Sequence, residues 1–196
     1  MKAIQKLFAT GIATLVMTLV FPGVISASPI MCGADPNINH MLVDSSQVSA
    51  CLDSGPGNIS GNLATDPFLQ NAAANGDDYF ISSKSDGANP WGLSFNVTFK
   101  DKDQTLGTWS LDSDYWLTNT FGILGFKFGT GNNDDEWFIY QLVQGVSSGS
   151  FQFVNVQQRG GGLSHTNLYG VPEPTTLLLL GLGLMGFATV RKGKSA

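Results

Sequence analysis

The side chains best equipped for chemistry in this 196-residue sequence are carboxylates gathered in short clusters. Asp101-Lys102-Asp103, Asp112-Ser113-Asp114 and Asn132-Asn133-Asp134-Asp135-Glu136 are rich in the oxygen ligands that Ca²⁺ requires. Set out as a Ca²⁺ loop, Asp101-x-Asp103-x-Thr105 reaches Asp112 at the twelfth place. Leu106 stands where such a loop needs glycine, and no helical pattern flanks it, so this is not an EF-hand. Two expectations remain for Asp101, Asp103, Asp112, Asp114, Asp134 and Asp135: a Ca²⁺ site assembled from separate turns, or ordinary solvated turns. The second needs no cofactor and predicts little heat when Ca²⁺ is titrated in.

Gly145-Val146-Ser147-Ser148-Gly149 fits the Gly-x-Ser-x-Gly pattern of serine hydrolases. That chemistry needs the serine on a strand-to-helix turn, with an acid and then a histidine downstream. Here the motif joins two strand-like segments, and no acid separates Ser147 from His165. It reads as a Gly/Ser-rich hairpin turn. His40 and His165 are isolated from any carboxylate at ligand spacing. A secreted hydrolase is therefore the least favoured class. Trp91, Trp109, Trp116 and Trp137, with Tyr115 and Tyr140, are rings on which a sugar could stack. Most occupy strand positions that face a core. Tyr115 and Trp116 are adjacent and would point to opposite sides of a strand, so they are the candidate glycan contacts.

The elements that must position these residues are mostly strands. Leu93–Phe99 alternates large apolar with polar residues, as a half-buried strand does, and Leu124–Phe128 repeats the pattern. Trp137–Val143 is apolar on both faces, which predicts a central strand. Ser150–Val156 follows, with shorter candidates at Tyr79–Ser82, Thr108–Leu111 and Ser164–Leu168. Only Leu69–Ala74 reads as a short helix. Strands about ten residues apart, joined by Gly/Asp turns, predict a mostly β fold: a β-sandwich, jelly-roll-like.

The two ends differ from the middle. Residues 28–171 hold 5 bases against 14 acids, a net charge of −9, which repels phosphate backbones and argues against nucleic acid as a partner. Lys2 and Lys6 precede an apolar run from Leu7 to Val20, a Phe21-Pro22-Gly23 break and the small residues Ser26-Ala27-Ser28. This is the layout of a secretory signal peptide, residues 1–27. At the other end Thr175–Val190 is a 16-residue stretch without charge, followed by Arg191, Lys192 and Lys194. As a helix it spans about 24 Å, close to the ~30 Å hydrocarbon core. Bases that follow a membrane helix stay in the cytoplasm, so residues 28–170 are expected outside. Export places Cys32 and Cys51 in an oxidising compartment, where an even pair predicts a disulfide rather than free thiols or metal ligands. It would pin an otherwise loop-like stretch that contains Gly55-Pro56-Gly57.

Val171-Pro172-Glu173-Pro174, the apolar stretch 175–190 and the basic tail 191–196 together resemble the PEP-CTERM sorting signal of Gram-negative bacteria. The resemblance covers residues 171–196, with Leu163–Gly170 as a lead-in. It implies recognition by an exosortase, a membrane-embedded transpeptidase, after transient anchoring in the inner membrane. It also implies cutting near Pro-Glu-Pro and delivery to the cell surface or medium, in a setting of extracellular polysaccharide and biofilm matrix. The prolines keep the segment extended, the form a protease accepts. The sequence thus divides into signal peptide 1–27, exported β-sandwich 28–170 and sorting signal 171–196. The leading expectation is a non-enzymatic surface protein, and the runner-up is a carbohydrate- or Ca²⁺-binding adhesion module. The order Gly107-Thr108-Trp109, Lys127, Trp137–Tyr140 and Ser148–Phe151 is also similar to exported domains joined to this signal; that similarity implies a fold and no activity.

Overall fold

The computed structural model describes residues 28–100, 104–129, 136–156 and 161–171. The expected signal peptide, the expected membrane helix 175–190 and the tail 191–196 lie outside them. No helix among the described residues is long and apolar enough to cross a membrane.

In chain order the elements are β1 (Pro29–Cys32), β2 (His40–Asp44), β3 (Val48–Gly55), α1 (Pro67–Ala74), β4 (Phe80–Lys84), β5 (Ser94–Lys100), β6 (Gln104–Ser110), α2 (Tyr115–Thr118), β7 (Ile123–Gly129), β8 (Trp137–Leu142), β9 (Ser148–Val154) and β10 (Gly162–Gly170). They form two antiparallel sheets, in the orders β1-β2-β9-β6-β5 and β3-β8-β7-β10-β4. The β2–β9 and β3–β8 pairs lie in opposite sheets, so the chain wraps around the sandwich. Met41, Val43, Trp109, Phe151 and Phe153 of the first sheet pack on Leu124, Phe126, Phe128, Phe138, Tyr140 and Leu168 of the second. Their rings interlock: Phe128 stacks on Phe153 at 4.1 Å, and Phe126 meets Phe151 at 5.2 Å.

Three expectations need correction. Residues 29–55 are not loop-like; they supply β1, β2 and β3. The Gly145–Gly149 segment is not a hairpin turn, because β8 and β9 belong to different sheets and it carries the chain from one to the other. Finally, β7 is not half-exposed; six of its seven residues are buried. The reason is topological. β3 and β4 are opposite edges of the second sheet, so the segment joining them must cross the sheet's outer face. Ile59, Phe68 and Leu69 of that crossing pack against Ile123, Trp137, Ile139 and Tyr169 as a second apolar cluster. Gly125 is required there, since a Cβ would lie 2.9 Å from Ile59 and Ile139 and 3.0 Å from Tyr169.

Candidate functional site

The crossing segment is held down by polar side chains that rise from the second sheet. Glu136 accepts from Lys127 at 2.8 Å and from the backbone N–H of Gly57 at 3.3 Å. The Trp137 indole donates to the Pro56 carbonyl at 2.8 Å, and Lys84 donates to the Ser60 carbonyl at 3.0 Å. Three alternate residues of β10 complete the ladder. The Nε2 of His165 and the amide of Asn167 both reach the Ile59 carbonyl, at 3.0 and 2.7 Å, while the Tyr169 hydroxyl donates to Asp66 at 3.0 Å. Asp66 is fully buried and also accepts from the N–H groups of Gly61 and Leu69, which makes it the N-cap of α1. Burial, with the Asp66 carboxylate close by, pushes the Tyr169 hydroxyl well above its ordinary pKa. Sequence reasoning found none of this ladder, because its side chains lie 24 to 108 residues from the crossing-segment carbonyls they reach and meet them only through the crossing. The usable signal was the alternation of His165, Asn167 and Tyr169 on one strand face.

The cluster is not a hydrolase site. Ser164 Oγ and Asp86 Oδ2 lie 3.3 and 3.8 Å from His165, but both face its Nδ1, while Nε2 is spent on Ile59. A relay needs the acid and the nucleophile on different ring nitrogens. Ser147, the residue of the Gly-x-Ser-x-Gly match, accepts the Leu111 N–H with its own carbonyl and lies on the link between the sheets, away from His165. Among the described residues no three His, Cys, Asp or Glu side chains group to hold a metal ion. Asp112 and Asp114 are exposed, and Asp112 accepts the backbone N–H of Asp114 at 3.0 Å. Asp101, Asp103, Asp134 and Asp135 lie outside the described residues.

Cys32 and Cys51 form a disulfide, as an even pair in an oxidising compartment predicts. It joins β1 to β3 and so staples one sheet to the other. Tyr115 and Trp116 do not straddle a strand. They occupy the one-turn helix α2, with ring centroids 4.9 Å apart at 82°. Tyr115 is fully buried, donates to the Phe121 carbonyl at 2.6 Å, and its hydroxyl is pushed up to about 12 by burial. It has no face to offer a sugar. Trp116 is half-buried, with its indole donating to the Val146 carbonyl at 3.0 Å.

The outer face of the first sheet is uncovered. Two adjoining grooves of about 480 and 380 Å³ run along it and share Thr108 and Ser150. Their polar lining is almost all hydroxyl and amide, including Ser94, Asn96, Ser110 and Gln152, with Asp44 as the one charge.

The molecule is thus a two-sheet β-sandwich, without a catalytic constellation among the described residues, whose last strand runs straight into its C-terminal segment. Residues 170–192 match the family model of the PEP-CTERM protein-sorting motif. That motif is the recognition signal of exosortase, a membrane processing enzyme, and marks an exported protein with a membrane-anchored sorting signal. The match begins on Gly170, the final residue of β10. Val171 is 41% exposed, and Pro172, Glu173 and Pro174 lie outside the described residues. No curated protein and no solved structure matches the chain.

Proposed function

We propose that this chain is a non-enzymatic cell-surface or extracellular protein. It is exported by its N-terminal signal, held briefly in the inner membrane by residues 175–190, and cut by an exosortase near Pro172-Glu173-Pro174. The observation that carries this reading is the sorting motif beginning where the folded sandwich ends. Proline is a poor helix former, and Pro172 and Pro174 favour the extended form that a protease accepts. The test is the variant P172A/E173A in cells that make the enzyme. It should accumulate in membranes with residues 175–196 still attached; normal tail removal would sink the proposal.

A second reading has its own observation. The hydroxyl and amide groove on the first sheet, with Asp44 as its one charge, suits a neutral sugar chain, held by hydrogen bonds rather than ring stacking. On this reading the protein works in an exopolysaccharide or biofilm matrix. Electrophoresis through gels containing the native exopolysaccharide should retard the protein, and N96A/T108A should migrate freely. Unretarded migration of the unaltered protein rejects this reading.

A further inference from the structure

The end of the sandwich from which the chain leaves toward the membrane has a distinct surface. Gly170 pairs with Phe80 at the start of β4, and Tyr169 pairs with Ile123 at the start of β7. Gly122, just before β7, accepts the Leu142 N–H, and α2 packs at this same end through Tyr115 on Phe121 and Trp116 on Val146. Three of the exposed large apolar side chains sit here: Leu117 at 80%, Phe80 at 46% and Val171 at 41%. Asp77 and Asp78 directly precede Tyr79-Phe80, and Asp112 and Asp114 precede α2; all four are exposed. Of the described lysines, Lys84 lies at the opposite end of β4, Lys127 toward the opposite end of β7, and Lys100 is the last residue of β5, at the end away from the Ser94–Ser110 pair.

The tether is short. Residues 171–174 extend at most about 14 Å, even when fully stretched. The headgroup layer outside the hydrocarbon core takes up roughly 5–8 Å of that reach. A sandwich anchored through residues 175–190 therefore has no room to stand off, and this end must face whatever surrounds the tail's entry into the bilayer. An anionic headgroup surface repels four carboxylates, whereas a basic protein surface attracts them.

We propose that this end, built from Phe80, Leu117, Val171 and the carboxylates of Asp77, Asp78, Asp112 and Asp114, is a docking face for a basic extracytoplasmic surface of the sorting enzyme. The inference rests on the sorting reading above. The folded sandwich is then part of what the enzyme recognises, beyond the Pro-Glu-Pro segment. Leu117 supplies an exposed apolar contact just after the carboxylates of Asp112 and Asp114, and a small transient interface combines apolar contact with a polar surround in this way. Neutralising the rim slows encounter while leaving the fold and the cut bond unchanged, because these side chains are exposed.

The experiment uses the full chain in cells that make the enzyme, with a photo-reactive amino acid at position 117 or, as a control, at Val156 on the far side of β9. The 117 probe should attach to the sorting enzyme and the Val156 probe should not. In a pulse-chase, D77N/D78N/D112N/D114N should lose its tail about tenfold more slowly than the unaltered chain. If the tail is removed but the 117 probe labels only lipid, or nothing, and the four-fold variant is processed at the normal rate, the docking proposal falls and the sorting reading stands. If the unaltered chain keeps its tail, both fall.

Discussion

Three groups of residues bear most directly on stability. The Cys32–Cys51 bridge closes a separation of 19 residues and joins the two sheets. Cys32→Ser with Cys51→Ser should cost about 3 kcal/mol in the chain-entropy view, read as a lower denaturant midpoint. The Lys127–Glu136 pair is buried, with side-chain exposures of 11% and 6%. Lys127→Met alone removes the cation that balances this buried carboxylate and should cost about 3–5 kcal/mol. The double change K127M/E136L should cost distinctly less; equal costs would mean that the charge is not what matters. The buried tyrosines set an alkaline limit. Burial raises the Tyr115, Tyr140 and Tyr169 hydroxyls, Tyr115 to about 12. In the unfolded chain they ionise near their ordinary value of 10. Above that pH the unfolded state holds fewer protons than the folded one, so stability is complete below about 10 and is lost as pH climbs toward 12. Denaturant midpoints should be level from pH 7 to 9 and fall beyond 10, together with the rise of phenolate absorbance. A midpoint unchanged at pH 11 would contradict the burial of these rings.

At the scale of elements, the segment between β3 and β4 is the feature that patterning conceals. Asp66 caps α1 and accepts from Tyr169 across a sequence separation of 103. Asp66→Ala should cost about 2–4 kcal/mol, combining a lost cap with an orphaned buried hydroxyl, and should speed hydrogen exchange in residues 57–75 ahead of the sheets. Uniform exchange would mean that the crossing is no separate unit. The strands from β4 onward were legible, since Phe95, Phe126, Phe128, Phe138, Phe151 and Phe153 mark the faces of most of them plainly. The first three, β1 to β3, were not. β1 is four residues and opens on Pro29, a position only a strand's first residue tolerates. β3 reads Val-Ser-Ala-Cys-Leu-Asp-Ser-Gly and shifts register twice against β8, which erases the period of two. α2 escaped notice because a single turn shows no helical period; adjacent Tyr115 and Trp116 therefore read as a strand pair. Of the candidate site, the disulfide and the sorting motif could be read locally. The grooves and the ladder under the crossing could not, because pairing of distant strands creates them.

For the whole molecule, the separation of roles along the chain is the main result. The sandwich is closed over its second sheet, open over its first, and joined without a linker to the sorting motif. Chemistry that acts on the chain is thereby concentrated at one end, and any partner of the mature protein has the other sheet face available. Its acidic turns are expected to stay solvated, so calorimetric titration of the folded domain with Ca²⁺ should show little heat; a micromolar site would overturn that expectation. The account stands most directly on intact mass spectrometry of the protein recovered from the producing cells' medium and membranes. It predicts a mass that lacks residues 1 to about 27 and everything beyond the Pro172-Glu173-Pro174 region, less two hydrogens for the disulfide. A membrane-bound species that retains residues 175–196, with no shorter form in the medium, would contradict it.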